Sequence, residues 1–135
     1  MTNTLPREIT HCYSLLFTGD AEQKNKNYLR AALCFEECRM LAEIHLDQNP
    51  ILAYALFRSA RKEAQMLILL NAEKRAFRML RKLMSHNYIG GNSFDRLFIY
   101  SQLSFLAEKV SQSKNNTYKN YFHSQLKQLI HNESI

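Results

Sequence analysis

Apolar residues recur at three- and four-residue steps through most of this sequence, the period of helices that bury one face. After Pro6, which suits a first helical turn, Ile9, Cys12, Tyr13, Leu16 and Phe17 predict a short first helix. Thr18-Gly19-Asp20 ends it on this reading, with Gly19 in a left-handed position and Asp20 capping the next helix. The second helix is expected to start between Asp20 and Asn27 and to reach about Leu46. Tyr28, Ala31, Phe35, Cys38, Ala42 and His45 share one face of it, while Glu36, Glu37, Arg39 and Glu43 fall largely elsewhere. Asp47-Gln48-Asn49-Pro50 stops it, because a residue before proline avoids the α region.

The third helix, beginning at Pro50, carries Ala53, Phe57, Ala60, Ala64 and Leu67 on one stripe with Leu52 and Leu56 beside it. Its end, Met66-Leu67-Ile68-Leu69-Leu70, is apolar all round and is expected to be buried. The fourth, from about Ala72 to Ser85, sets Ala76 or Phe77, Leu80, Leu83 and Met84 against Lys74, Arg78, Arg81 and Lys82. Asn71 alone breaks the pattern between them, which predicts a tight antiparallel hairpin or one bent helix. Gly90-Gly91 marks a turn over residues 87–92. Beyond it Phe94, Leu97, Phe98, Ile99, Tyr100, Leu103, Phe105, Leu106 and Val110 leave a fifth helix almost no polar face, so it is central to the core or covered by a partner. A polar linker over residues 111–116 precedes a sixth helix expected at residues 117–130.

With 135 residues, 46% of them apolar, and only three Gly and two Pro, the chain reads as a single all-α domain over residues 1–135. Five or six helices packed as antiparallel hairpins are expected. Three cysteines form no disulfide-like pattern, and the first residues carry neither a basic head nor an apolar run, so a reduced, cytoplasmic protein is expected. The longest apolar run, residues 66–70, falls far short of the ~20 residues that cross a bilayer.

Charge changes this picture, because it is concentrated. Arg58, Arg61, Lys62, Lys74, Arg75, Arg78, Arg81 and Lys82 stand against only Glu63 and Glu73 over residues 58–82. That surplus equals the net charge of the whole chain, +6. The cluster suits a solvated face, an acidic protein partner or nucleic acid. Nucleic acid is less favoured, since Phe57 and Phe77 lie on inward stripes and are not interleaved with the cations for base stacking. The candidate partner-binding residues are therefore Arg58, Arg61, Lys74, Arg78 and Arg81, with Phe98 and Phe105 of the fifth helix, and an acidic or amphipathic segment of another protein is the expected partner. A homodimer is the plainer alternative.

Two further patterns carry chemistry. Cys34, Cys38 and His45 can project from one face of the second helix, with His11 or Cys12 as a fourth ligand, but the same face holds Tyr28, Ala31, Phe35 and Ala42 and reads as core. No metal or other cofactor is expected, and no catalytic residue is assigned.

Laid on the tetratricopeptide pattern W-x2-L-G-x2-Y, A-x3-F, P, the central hairpin places Leu56, Ser59, Ala60, Glu63, Ala72, Ala76 and Met84 at the seven positions. It resembles a degenerate tetratricopeptide-like unit, with Glu63 for tyrosine and Met84 for proline as departures; an ordinary helical bundle is the alternative. The resemblance implies a grooved surface that holds a segment of another protein, as in adaptors and in the small bacterial partner chaperones of type III secretion. A nucleic-acid-binding protein using the basic hairpin is the alternative function. Arg81 with His86, and Arg39 with His45, also resemble the arginine and histidine of HEPN ribonucleases, at a spacing that about one chance match in such a chain would meet.

Overall fold

The computed structural model describes residues 6–86, Tyr88 and residues 93–111, and these form five helices and no strand: α1 (Arg7–Lys24), α2 (Tyr28–His45), α3 (Leu52–Leu69), α4 (Glu73–Met84) and α5 (Ser93–Ser111). The all-α class is the one the periodicity predicts. The sixth helix expected at residues 117–130 lies outside the described residues.

Two helix ends are closed by the backbone alone. After α1 the Lys26 N–H bonds the Gln23 carbonyl and the Asn27 N–H bonds that of Glu22, with Lys26 at φ 62°. After α3 the same pair of bonds joins Asn71 to Ile68 and Ala72 to Leu67, with Asn71 at φ 60°. Both are Schellman turns, which satisfy the last carbonyls of a helix by forcing one residue into the left-handed region. Asn71 is therefore the breaker of a hairpin and not a bend in one helix.

The first break is not where the pattern placed it. Thr18, Gly19 and Asp20 are helical, and α1 continues a further turn to Lys24. Gly19 is a contact residue: a Cβ there would stand 2.5 Å from Cε1 of Phe35 and 2.8 Å from Cδ1 and Cζ. The buried Phe35 ring of α2 lies directly against the glycine, so absence of a side chain sets the α1–α2 distance.

α3 is the central element, with eleven of its eighteen residues buried. Among the described residues, helices pack only on those one or two places along the chain: α3 on α1, α2, α4 and α5, α1 also on α2, and α4 also on α5. Consecutive helices run antiparallel, and alternate helices run parallel. Side chains that join alternate helices show this through their separation in sequence: 42 residues for Asp20–Lys62, 39 for Glu36–Arg75, 37 for Arg58–Asp95, 34 for Arg61–Asp95 and 41 for the bond from Gln102 to the Arg61 carbonyl. The hairpins thus stack with a step of 34 to 42 residues, α1, α3 and α5 forming one layer and α2 and α4 the other. The α3 end expected to be buried is split: Met66 and Leu67 are buried, while Leu69 and Leu70 are exposed.

Candidate functional site

Half of the basic cluster is spent on holding helices together. Asp95, fully buried in the first turn of α5, accepts from Arg61 Nε at 2.6 Å and from Arg58 Nε at 3.2 Å. Its carboxylate therefore fastens α5 to α3 with two cations, at a helix end whose backbone dipole also favours an anion. Lys62 Nζ reaches Asp20 Oδ1 on α1 at 2.5 Å, and Arg75 Nη2 reaches Glu36 Oε2 on α2 at 2.5 Å.

Glu63, the departure from the repeat pattern, is buried and accepts from Arg39 of α2 through both oxygens, at 2.6 and 3.4 Å; Arg39 also meets Glu43 at 3.4 Å. Burial pushes the Glu63 carboxyl above the usual carboxylate range, against the pull of Arg39. Burial works against the Arg39 cation too, but its bond to Glu63 and the charges of Glu63, Glu43 and Glu36 outweigh this and raise its pKa. Arg39, expected on a polar face, is a part-buried link between α2 and α3.

The seven candidate partner-binding residues do not form one surface. Arg58 and Arg61 are paired to Asp95 at the α3–α5 seam, where Arg61 also lies over the ring of half-buried Phe98 at 5.2 Å. Lys74, Arg78 and Arg81 are exposed on α4, Arg81 over the Phe77 ring at 5.7 Å. Phe105 is exposed on α5 with Lys109 over its ring at 5.4 Å.

The strongest apolar surface is one the pattern did not single out. Leu29, Leu33, Met40 and Ile44 of α2 are 62%, 52%, 51% and 72% exposed. Their spacing of four, seven and four residues places them on one stripe, and Leu33, Met40 and Ile44 line a shallow groove of about 410 Å³ together with Glu36, Glu37 and Leu41. α2 is apolar on two sides: Ala31, Ala32, Phe35, Cys38 and Ala42 face the core, and this second stripe faces out. A smaller groove of about 290 Å³, lined by Arg39, Glu43, Arg75, Arg78 and Lys82 among others, runs between α2 and α4.

The remaining candidate chemistry has local partners. Cys12 and Cys38 are both buried and each thiol points at the other residue's carbonyl, at 3.9 and 3.2 Å. The Cys12 thiol and burial push Cys38 far up, and the bond from Cys38 draws Cys12 down. No group of three His, Cys, Asp or Glu side chains able to hold a metal occurs among the described residues. His86 Nδ1 lies 2.7 Å from the Lys82 carbonyl and its ring stacks on Tyr88. No helix among the described residues is long and apolar enough to cross a membrane. No protein-family model matches the chain, and neither the curated proteins nor the solved structures include a significant match to it.

Proposed function

We propose that this chain is a non-enzymatic protein-binding module, an adaptor or partner-specific chaperone, that holds an amphipathic segment of another protein against the α2–α4 layer. The observation that carries the reading is the exposed stripe Leu29, Leu33, Met40 and Ile44, whose period matches the apolar face of a partner helix. Burying these four side chains is worth roughly 5 kcal/mol before the cost of association. Arg78 and Lys82, in the groove between α2 and α4, suit acidic groups on the same partner and steer its approach.

A second copy fits this stripe poorly. The pattern is symmetric about Glu36 and Glu37, so an antiparallel self-pair matches Leu29 with Ile44 and Leu33 with Met40 but sets Glu36 of each copy against Glu37 of the other beside the two-fold axis. The regular stacking of the hairpins supports the helical-repeat reading in kind. Its step of 34 to 42 residues lies at or above the roughly 34 of a tetratricopeptide.

The exposed cations of α4 favour nucleic acid as the second reading. One experiment separates the two: affinity purification from native cytoplasm with the tagged full chain and with Leu33→Glu/Met40→Glu, each with and without nuclease. A stoichiometric protein partner that resists nuclease and is lost from the variant is expected. Recovery of nucleic acid alone, or of the same protein by the variant, overturns the proposal.

A further inference from the structure

The groove between α2 and α4 differs from the other hollows in its charge. Arg39 and Glu43 of α2 and Arg75, Arg78 and Lys82 of α4 line it, beside half-buried Met79 and buried Leu83. Three of these five charged groups are matched within the fold: Arg39 by Glu63 and Glu43, Glu43 also by the Tyr88 hydroxyl at 3.0 Å, and Arg75 by Glu36. Arg78 and Lys82 are exposed, and among the described residues neither side chain has a hydrogen-bond or ion-pair partner. They stand four residues apart on one helix, close enough for like charges to repel. α4 thus brings two adjacent, uncompensated cations to the groove.

This cationic patch is bounded on both sides. By the helical period Lys74 and Arg81 fall on the flank of α4 away from Arg75 and Lys82, and on the α2 side Glu36 and Glu37 line the neighbouring apolar groove. A polyanion such as nucleic acid, crossing from α4 onto α2, meets those carboxylates, whereas one isolated anionic group does not. Glu36 lines the apolar groove and its partner Arg75 lines the cationic one, so the two grooves meet at that ion pair. A segment lying along Leu33, Met40 and Ile44 can therefore turn one side chain toward Arg78 and Lys82.

We infer that this side chain is phosphorylated: the α2–α4 groove receives the single phosphate of a phosphoserine- or phosphothreonine-bearing segment whose apolar face lies on the α2 stripe. A phosphomonoester carries about −1.5 to −2 charges at pH 7 and three acceptor oxygens, which matches two cations, while a carboxylate brings one charge and two oxygens. Arg78 offers a planar fork of N–H donors and Lys82 a point charge, so the phosphate accepts from both. Met79 and Leu83 supply apolar contact for the carbon that carries it. The inference rests on the protein-binding reading and deepens it, because it makes capture depend on a modification of the partner.

The test screens the immobilised full chain with pools of synthetic peptides that are degenerate except for a central phosphoserine, aspartate or serine. The best phosphoserine peptide, labelled with a fluorophore, is then measured by polarisation. Expected is enrichment from the phosphoserine pool, with an affinity about tenfold or more above that of the same sequence carrying aspartate. Arg78→Ala and Lys82→Ala each lower the affinity of the phosphorylated form about tenfold, the effect of losing one charge-assisted contact, and narrow the gap between the two forms. Both side chains are exposed, so the fold survives their loss, as circular dichroism checks. Lys74→Ala, on the other flank of α4, leaves both affinities unchanged, and Leu33→Ala/Met40→Ala weakens both forms alike. No enrichment from the phosphoserine pool, equal affinity of the phosphoserine and aspartate forms, or a preference that survives both cation variants overturns the inference. So does a single-stranded oligonucleotide that binds as tightly and displaces the peptide. Peptides that bind alike from every pool and are lost in Leu33→Ala/Met40→Ala would refute the phosphate site and leave the protein-binding reading standing.

Discussion

Replacing Gly19 by alanine tests the closest approach in the fold. The new methyl would sit 2.5 Å from Phe35 Cε1 and 2.8 Å from two more ring carbons, about 1 Å inside the ~3.5–4.0 Å separation at which carbon atoms attract. The ring is fully buried beside Ala31, Ala32 and Met66, so it yields only by pushing α1 from α2 or by crowding Met66. Such overpacking costs about 1–3 kcal/mol, and a mid-helix Gly→Ala change returns about 1 kcal/mol of helix propensity. Net destabilisation of about 1 kcal/mol is expected, read as a lower urea midpoint at unchanged slope. Phe35→Leu removes the clash. In that background Gly19→Ala should stabilise by up to about 1 kcal/mol, a coupling of about 2 kcal/mol in a double-mutant cycle. A left-handed glycine at the end of a short helix would instead make alanine equally costly in both backgrounds. Coupling no larger than the about 0.5 kcal/mol within which independent sites add, or a stabilised single variant, refutes the packing argument.

Four other outcomes follow from the same structure. Glu63→Ala strands Arg39 between α2 and α3 and should cost about 3 kcal/mol in urea unfolding. Because burial raises the folded-state pKa of Glu63, its contribution is fully present below its unfolded pKa of about 4.3 and is lost as pH rises through the folded value. The stability of the wild type relative to Glu63→Gln should therefore fall as pH rises above about 4, and a flat or rising difference contradicts this. Lys26→Gly relieves the left-handed backbone at φ 62° and should raise stability by about 1 kcal/mol in thermal or urea unfolding, whereas Asn71→Gly changes it less. In native protein iodoacetamide should modify half-buried Cys34 slowly and spare Cys12 and Cys38 until the chain unfolds, as peptide mass mapping would report.

Local information settled the helices themselves. Their existence, the break at Asn71, the inward stripes of α3 and α4 and the burial of Phe57 and Phe77 follow from a helical period and from breakers only a few positions long. Local pattern failed where a residue's role depends on what lies across the packing. Gly19 reads as a stop because glycine commonly ends helices, and only the Phe35 ring reveals it as a close contact. The basic stretch reads as a single charged face because Asp95, Asp20 and Glu36 lie 34 to 42 residues away in sequence. α2 hides its outward stripe because small residues, Ala31, Ala32, Cys38 and Ala42, suffice to pack it on both α1 and α3, leaving its larger side chains Leu29, Leu33, Met40 and Ile44 outside. The tertiary structure decided these points, because stacking parallel helices at a regular step turns positions far apart in the chain into neighbours on one face.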